Sequence, residues 1–119
     1  MFSIDYIKEW SESYKTDLTT NIMPFWLKYG LDKVNGGIYT CVDRNGSLMD
    51  TTKSVWFQGR FAFICSYAYN NIEKNEAWLA AAKSTIDFIE AHCFDSDGRM
   101  YFDCLLYTSP SPRDYAASR

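Results

Sequence analysis

The residues best equipped for chemistry sit in one stretch, Lys53-Ser-Val-Trp-Phe-Gln-Gly-Arg60, where a lysine, a glutamine and an arginine are set into an apolar, aromatic run. Read as the opening of a helix, it puts positions three and four apart on one face. Arg60 then lies over Trp56 and Phe57, with Phe63 and Ile64 a turn further on and Lys53 two turns back on roughly the same side. An arginine walled by aromatics is costly to bury without partners. Either it stacks or snorkels at the helix surface, or something polar comes to meet it.

Other candidate groups are weaker. His92 is the only histidine, and its place at the end of a predicted helix has an ordinary explanation in the helix dipole. Asp95-Ser-Asp-Gly98 begins like a calcium loop, but Cys104 stands where the closing glutamate is expected, so no metal site is predicted. Gly36-Gly37 is not followed by the helix-opening lysine of a phosphate loop, and suits a turn with positive φ and close backbone approach. Cys41, Cys65, Cys93 and Cys104 are widely spaced, which fits free thiols rather than a zinc site or a disulfide framework.

The elements that must position these groups follow from periodicity. Tyr6, Trp10, Tyr14, Leu18 and Ile22 recur every four residues, predicting an amphipathic helix whose aromatic stripe belongs to a core. Pro24 should end or kink it, with one more helical turn over Phe25-Trp26-Leu27. Gly36 to Met49 reads as a β-hairpin turning at Asp43-Arg-Asn-Gly46. A second helix is predicted from Lys53 to Asn70, capped by Asp50-Thr-Thr52 and apolar nearly all round, as a helix buried in a larger assembly would be. Gly59 inside it lowers helix propensity, and so should serve close packing or a ligand. A third helix, Glu76 to Cys93, has the stripe Leu79, Ala82, Ile86, Ile89 and Cys93. Helix followed by glycine-containing turn occurs twice, which points to a toroid of helical hairpins.

The totals bound the function. At 119 residues there is at most one domain, and 47% hydrophobic residues suffice for a packed core. A net charge of -3 carries no basic footprint for nucleic acid. Asp5, Lys8, Glu9 and Glu12 break any N-terminal apolar run, and no stretch reaches the length of a membrane span. The expectation is a cytoplasmic protein with no membrane partner.

The set Gly36-Gly-Ile-Tyr-Thr-Cys-Val-Asp-Arg-Asn-Gly46, Asp50, Lys53 and Val55-Trp-Phe-Gln-Gly-Arg60 resembles the N-acylglucosamine 2-epimerase family, which includes cellobiose 2-epimerases. The likeness runs from Trp10 to about Phe102 and takes in Phe25-Trp26 and Asp97-Gly-Arg-Met-Tyr-Phe102. It implies an all-α fold, the N-terminal portion of an (α/α)6 barrel with a short β-hairpin between helices, and a sugar bound in the central cavity. It implies a small-molecule sugar as partner and no cofactor, and leaves a homodimer open for a full-length protein.

The chemistry it implies is proton abstraction at C2 of an aldose, an enediolate, and return of the proton on the other face. Histidines serve as base and acid, their ordinary pKa lying near working pH. Arg60 matches the family's basic residue on the first inner helix, with the implied role of stabilising the enediolate oxygen. Trp56 is an implied wall for the sugar. Lys53 belongs to the same motif as a substrate-binding candidate or as a structural ion pair. His92 does not match the family's catalytic histidines, and Asn35 stands where some relatives have a histidine. The alternative is a non-catalytic carbohydrate-binding module on the same barrel.

Residues 1–103 are thus expected to be the N-terminal part of a barrel domain, inactive by itself. From Cys104 the prolines and lack of periodicity predict a tail. Cys104 to Asp114 also matches, codon for codon, the translation of a transposase-type sequencing adapter.

Overall fold

A computed structural model describes residues 3–104. Helix α1 spans Ile4–Asp17 and is capped by Ser3, whose Oγ accepts from the Tyr6 N–H. It does not stop at Pro24. A π-helical turn, Leu18–Ile22, joins it to α2, Met23–Tyr29. Proline has no N–H to donate and crowds the preceding turn. The wider turn absorbs this by letting the Met23 N–H reach back five residues to the Leu18 carbonyl. The hydroxyls of Thr19 and Thr20 bond the carbonyls of Lys15 and Thr16 over the same stretch, at 3.0 and 2.6 Å.

A loop with a Leu31–Ile38 bridge leads to an antiparallel hairpin, β1 (Cys41–Val42) and β2 (Leu48–Asp50), with an irregular register between Cys41 and Val42. Strand β3, Lys53–Ser54, pairs antiparallel with β4, Asp103–Cys104. Helix α3 follows over Val55–Asn71 and α4 over Glu76–His92. Lys53 is therefore in a strand, not in the first turn of the helix. The cap is Ser54, whose Oγ accepts from the Phe57 N–H, rather than Asp50-Thr-Thr52. Pairing with β4 keeps Lys53 and Ser54 extended, so the helix begins later than its apolar pattern does.

The core lies where α3 packs on α4, with Phe61, Cys65 and Ala68 against Trp78, Ala81 and Ala82, and with Met23 of α2 and Ile38 of the loop closing one side. The buried face of α4 is Trp78, Ala81, Ala82, Thr85 and Phe88, whereas Leu79 and Ile86 of the expected stripe are exposed. Both sets repeat at helical spacing. Trp78 and Phe88 offer more area to bury than Leu79 and Ile86, and the larger rings take the side facing α3.

Among the described residues the aromatic stripe of α1 is not packed into a core either. No residue of α1 is buried, and Tyr6, Trp10 and Tyr14 meet one another, at ring separations of 6.3 and 5.7 Å. The described elements leave this face uncovered.

The turn at Asp43 is repeated at Asp95. In each, the aspartate Oδ1 accepts two backbone N–H groups, from Asn45 and Ser47 in one and from Asp97 and Arg99 in the other, all at 2.8–2.9 Å. Gly46 and Gly98, both at positive φ, complete the turns. This bears out the helix-then-turn repetition. The tail reading from residue 104 onward lies outside the described residues, apart from the pairing of Cys104 with Lys53.

Cys41, Cys65 and Cys93 are thiols outside any disulfide; Cys41 is exposed and the other two are buried. Burial pushes the Cys65 thiol up to about 12, so it is neither reachable nor ionised near neutral pH. A thiol reagent applied to native protein should label Cys41 and spare Cys65 and Cys93, as read by peptide mass mapping. Equal labelling of all three would contradict this packing.

Candidate functional site

The site is built outward from a buried anchor. Lys53 Nζ donates to Asp32 Oδ2 at 2.6 Å and to the Gly36 carbonyl at 2.9 Å, while the rings of Phe88 and Tyr39 lie 4.6 and 4.9 Å from it. Lys53 is only 2% exposed. A buried ammonium survives only when its protons are met, and here a carboxylate, a carbonyl and two aromatic faces meet them. Asp32 in turn accepts the N–H groups of Val34 and Asn35, both at 3.0 Å. One ion pair thus ties the loop before β1 to the strand that opens α3.

Gln58 makes the second tie. Fully buried, it accepts the Ile38 N–H at 2.8 Å and donates to the Ile38 carbonyl at 2.6 Å. A side-chain amide in this position behaves as an extra rung of sheet, satisfying both backbone groups of a residue that water cannot reach. Gly37 makes room for it. At φ +77°, a Cβ there would come within 2.7 Å of Gln58 Oε1 and 2.9 Å of the Phe88 ring.

With its start held, α3 presents Trp56, Gly59, Arg60, Phe63 and Ile64 along one side. Together with Val55, Ile89 of α4 and Met100, they line an open trough of 620 Å³. Arg60 is exposed, not buried, and its guanidinium carbon sits 4.0 Å from the centre of the Trp56 ring. Phe57 points elsewhere, against Trp26 at 5.8 Å. The ion pairs among the described residues are Lys53–Asp32 and the exposed Lys83–Asp87, so no described carboxylate neutralises Arg60. A second, almost wholly apolar cleft of 290 Å³ between the π turn, α2 and α3 also has Arg60 on its rim.

The structure brings Trp56 and Arg60 together and sets Lys53 apart in its own buried cage. His92 lies in neither place. It lines a separate groove of 450 Å³ with Asp32, Asn35 and Asp87, its ring 5.2 Å from that of Phe88. Among the described residues the trough's lining offers one cation and no imidazole or carboxylate. Asp32 and the bridging role of Gln58 were not legible beforehand. The available signal was a lysine and a glutamine inside an apolar run, each of which needs a partner.

The trough lies on a fold that recurs in sugar epimerases. A crystal structure of a sugar epimerase from a ruminal bacterium superposes with a TM-score of 0.69 at 29% identity, over 78% of this chain and 24% of that one. Cellobiose 2-epimerase from Bacillus thermoamylovorans matches with a TM-score of 0.72 at 30% identity, over 81% and 25%. The fold is accordingly a part of an (α/α)6 barrel.

The family model for N-acylglucosamine 2-epimerase (GlcNAc 2-epimerase) matches residues 37–115, and the chain belongs to that family. The human N-acylglucosamine 2-epimerase is 31% identical over 85 residues, 70% of this chain and 20% of the human protein, and the bovine one matches to the same extent. The chain spans about a fifth of the length of these curated relatives.

Burial alone would raise the Asp32 carboxyl, but the Asn35 N–H, the Lys53 ammonium and the Val34 N–H outweigh it and bring it from 3.8 down to about 2. A carboxyl depressed on folding contributes stability, on the order of 2 kcal/mol, that is present above about pH 4 and lost as the pH falls through about 2. Amide exchange at Val34, Asn35 and Ile38, corrected for intrinsic rates, should lose protection across that window, and Asp32→Asn should lose it already above the window. Protection that is flat with pH would contradict the anchor.

Gly59 has no neighbouring atom within 4 Å of where a Cβ would stand, so close packing among the described residues does not explain it. Gly59→Ala should stabilise the helix by roughly 0.5–1 kcal/mol and, on the sugar-site reading proposed below, weaken sugar binding by narrowing the trough. Stability would be read by thermal melting and binding by calorimetry, in a polypeptide of the relatives' full length. A gain in both would show that the open space has no use.

Proposed function

We propose that this segment forms one wall of the sugar site in a sugar 2-epimerase, of the type acting on N-acylglucosamine and N-acylmannosamine. The observation that carries the reading is Arg60, an exposed guanidinium with no described carboxylate partner, set in an apolar trough on a fold shared with sugar epimerases. A base removes the proton at C2 of the open-chain aldose. The C–H electron pair forms the C1–C2 double bond, and the carbonyl π pair moves onto its oxygen to give an enolate, which is an enediolate where C2 carries a hydroxyl and a 2-acylamino enolate where it carries an N-acyl group. Arg60 donates hydrogen bonds to that oxygen and stabilises the developing charge, which a permanently protonated planar cation does without gaining or losing a proton. Return of a proton to C2 from the opposite face inverts the centre.

The apolar lining of the trough, with Val55, Phe63, Ile89 and Met100, presents C–H-compatible surface to the sugar. Lys53 serves by holding the loop against β3. The described residues of this trough include no group that could move the proton, and on this reading the segment binds and steadies the sugar while other parts of the full-length protein turn it over. That same observation keeps a second reading in play, a carbohydrate-binding module on the same barrel. It would be favoured by a full-length protein that binds sugar but does not exchange the C2 proton with solvent deuterium.

In a full-length epimerase carrying this segment, Arg60→Ala should lower kcat by roughly 10²–10³ with an unchanged circular dichroism spectrum, and Arg60→Lys should recover part of it. Interconversion of N-acetylglucosamine and N-acetylmannosamine, and of cellobiose and its C2 epimer, would be the assays. Turnover at the parent rate in Arg60→Ala would remove Arg60 from the mechanism.

A further inference from the structure

We infer that Trp56 is a positioning residue for Arg60, holding the guanidinium in place by stacking rather than serving mainly as a platform for the sugar; this rests on the role proposed above for Arg60. The guanidinium carbon lies 4.0 Å from the Trp56 ring centre, so one face of the indole is already occupied. Within this segment Trp56 is 64% exposed and takes no part in the core between α3 and α4, so packing among the described residues does not account for its place.

An exposed arginine is rotationally free unless something holds it. The usual restraint, a bidentate carboxylate, is not found among the described residues. It would also defeat the purpose, because a carboxylate on Arg60 would compete with an anionic oxygen for the same donors. A ring face holds the cation through its quadrupole while leaving the N–H edge free to donate. The four-residue spacing supplies the geometry, since Trp56 and Arg60 occupy successive turns of one helix face. The helix start is itself fixed by Lys53 and Gln58, so the indole is a rigid support.

The test is a double-mutant cycle in the full-length enzyme, with Trp56→Leu, Trp56→Phe, Arg60→Ala and the double variant Trp56→Leu/Arg60→Ala. Trp56 lies outside the core of this segment, and thermal melting checks that the full-length fold persists in each variant. Positioning through Arg60 predicts that Trp56→Leu lowers kcat about five- to tenfold with KM little changed. Trp56→Phe, which keeps a ring face, should restore most of that loss, and adding Trp56→Leu to Arg60→Ala should cost nothing further. A rise in KM as the main effect, or an equal further loss in the Arg60→Ala background, would overturn the inference and make Trp56 a sugar platform, with the role of Arg60 intact. Full activity in Arg60→Ala would overturn the role of Arg60 as well, so the two failures are told apart.

Discussion

The buried contact between Lys53 and Asp32 is the constraint on which the rest of this structure depends. An ammonium and a carboxylate placed 2.6 Å apart inside an apolar shell are mutually obligatory, because either one left alone would be a desolvated charge. Losing one partner of such a pair typically costs roughly 3–5 kcal/mol. The pair is also specific in direction. Its third partner is the Gly36 carbonyl, and its aromatic walls come from Tyr39 and from Phe88 of α4, so loop, strand and helix all meet at one nitrogen.

From that point the geometry of the trough follows. Gln58, one turn into α3, repeats the logic with neutral groups by taking both backbone partners of Ile38. Between the two ties, the first turns of the helix have little freedom, and these are the turns that carry Trp56 and Arg60. Gly37 is the steric condition for both ties, since any side chain there would strike Gln58 and Phe88 and would sit at an unfavourable φ. The polar residues of the motif thus divide into two groups. Lys53 and Gln58 are buried and satisfied, while Arg60 is exposed and available.

Much of this was legible in the sequence, for identifiable reasons. Three helices and two aspartate–glycine turns follow from period and turn chemistry, which act locally. The ordered set from Gly36 to Arg60 was enough to indicate the family and its barrel. What local pattern could not reach was orientation. Lys53 looked like part of a helix because Val55 to Arg60 is one, but pairing with Asp103 and Cys104, some fifty residues away, holds it extended. On α4, Leu79 and Ile86 kept helical spacing as well as Trp78 and Phe88 did, and only the position of α3 decides between them. The stripe on α1 has the composition of a core face but is exposed among the described residues, because burial requires a partner as well as a pattern. For Arg60 two readings stood open, stacking at the surface or a polar group that meets it; among the described residues it is exposed and rests on Trp56.

The most direct test of the central claim is a crystal structure of a full-length family member carrying this segment, with an open-chain sugar alcohol such as glucitol bound. The account predicts the alcohol in the trough, with a guanidinium N–H of Arg60 within hydrogen-bonding distance of the oxygen on C1 or C2 and Lys53 still on Asp32. A sugar seated away from Arg60, in the groove beside His92 or with Lys53 released from Asp32 to hold it, would contradict it.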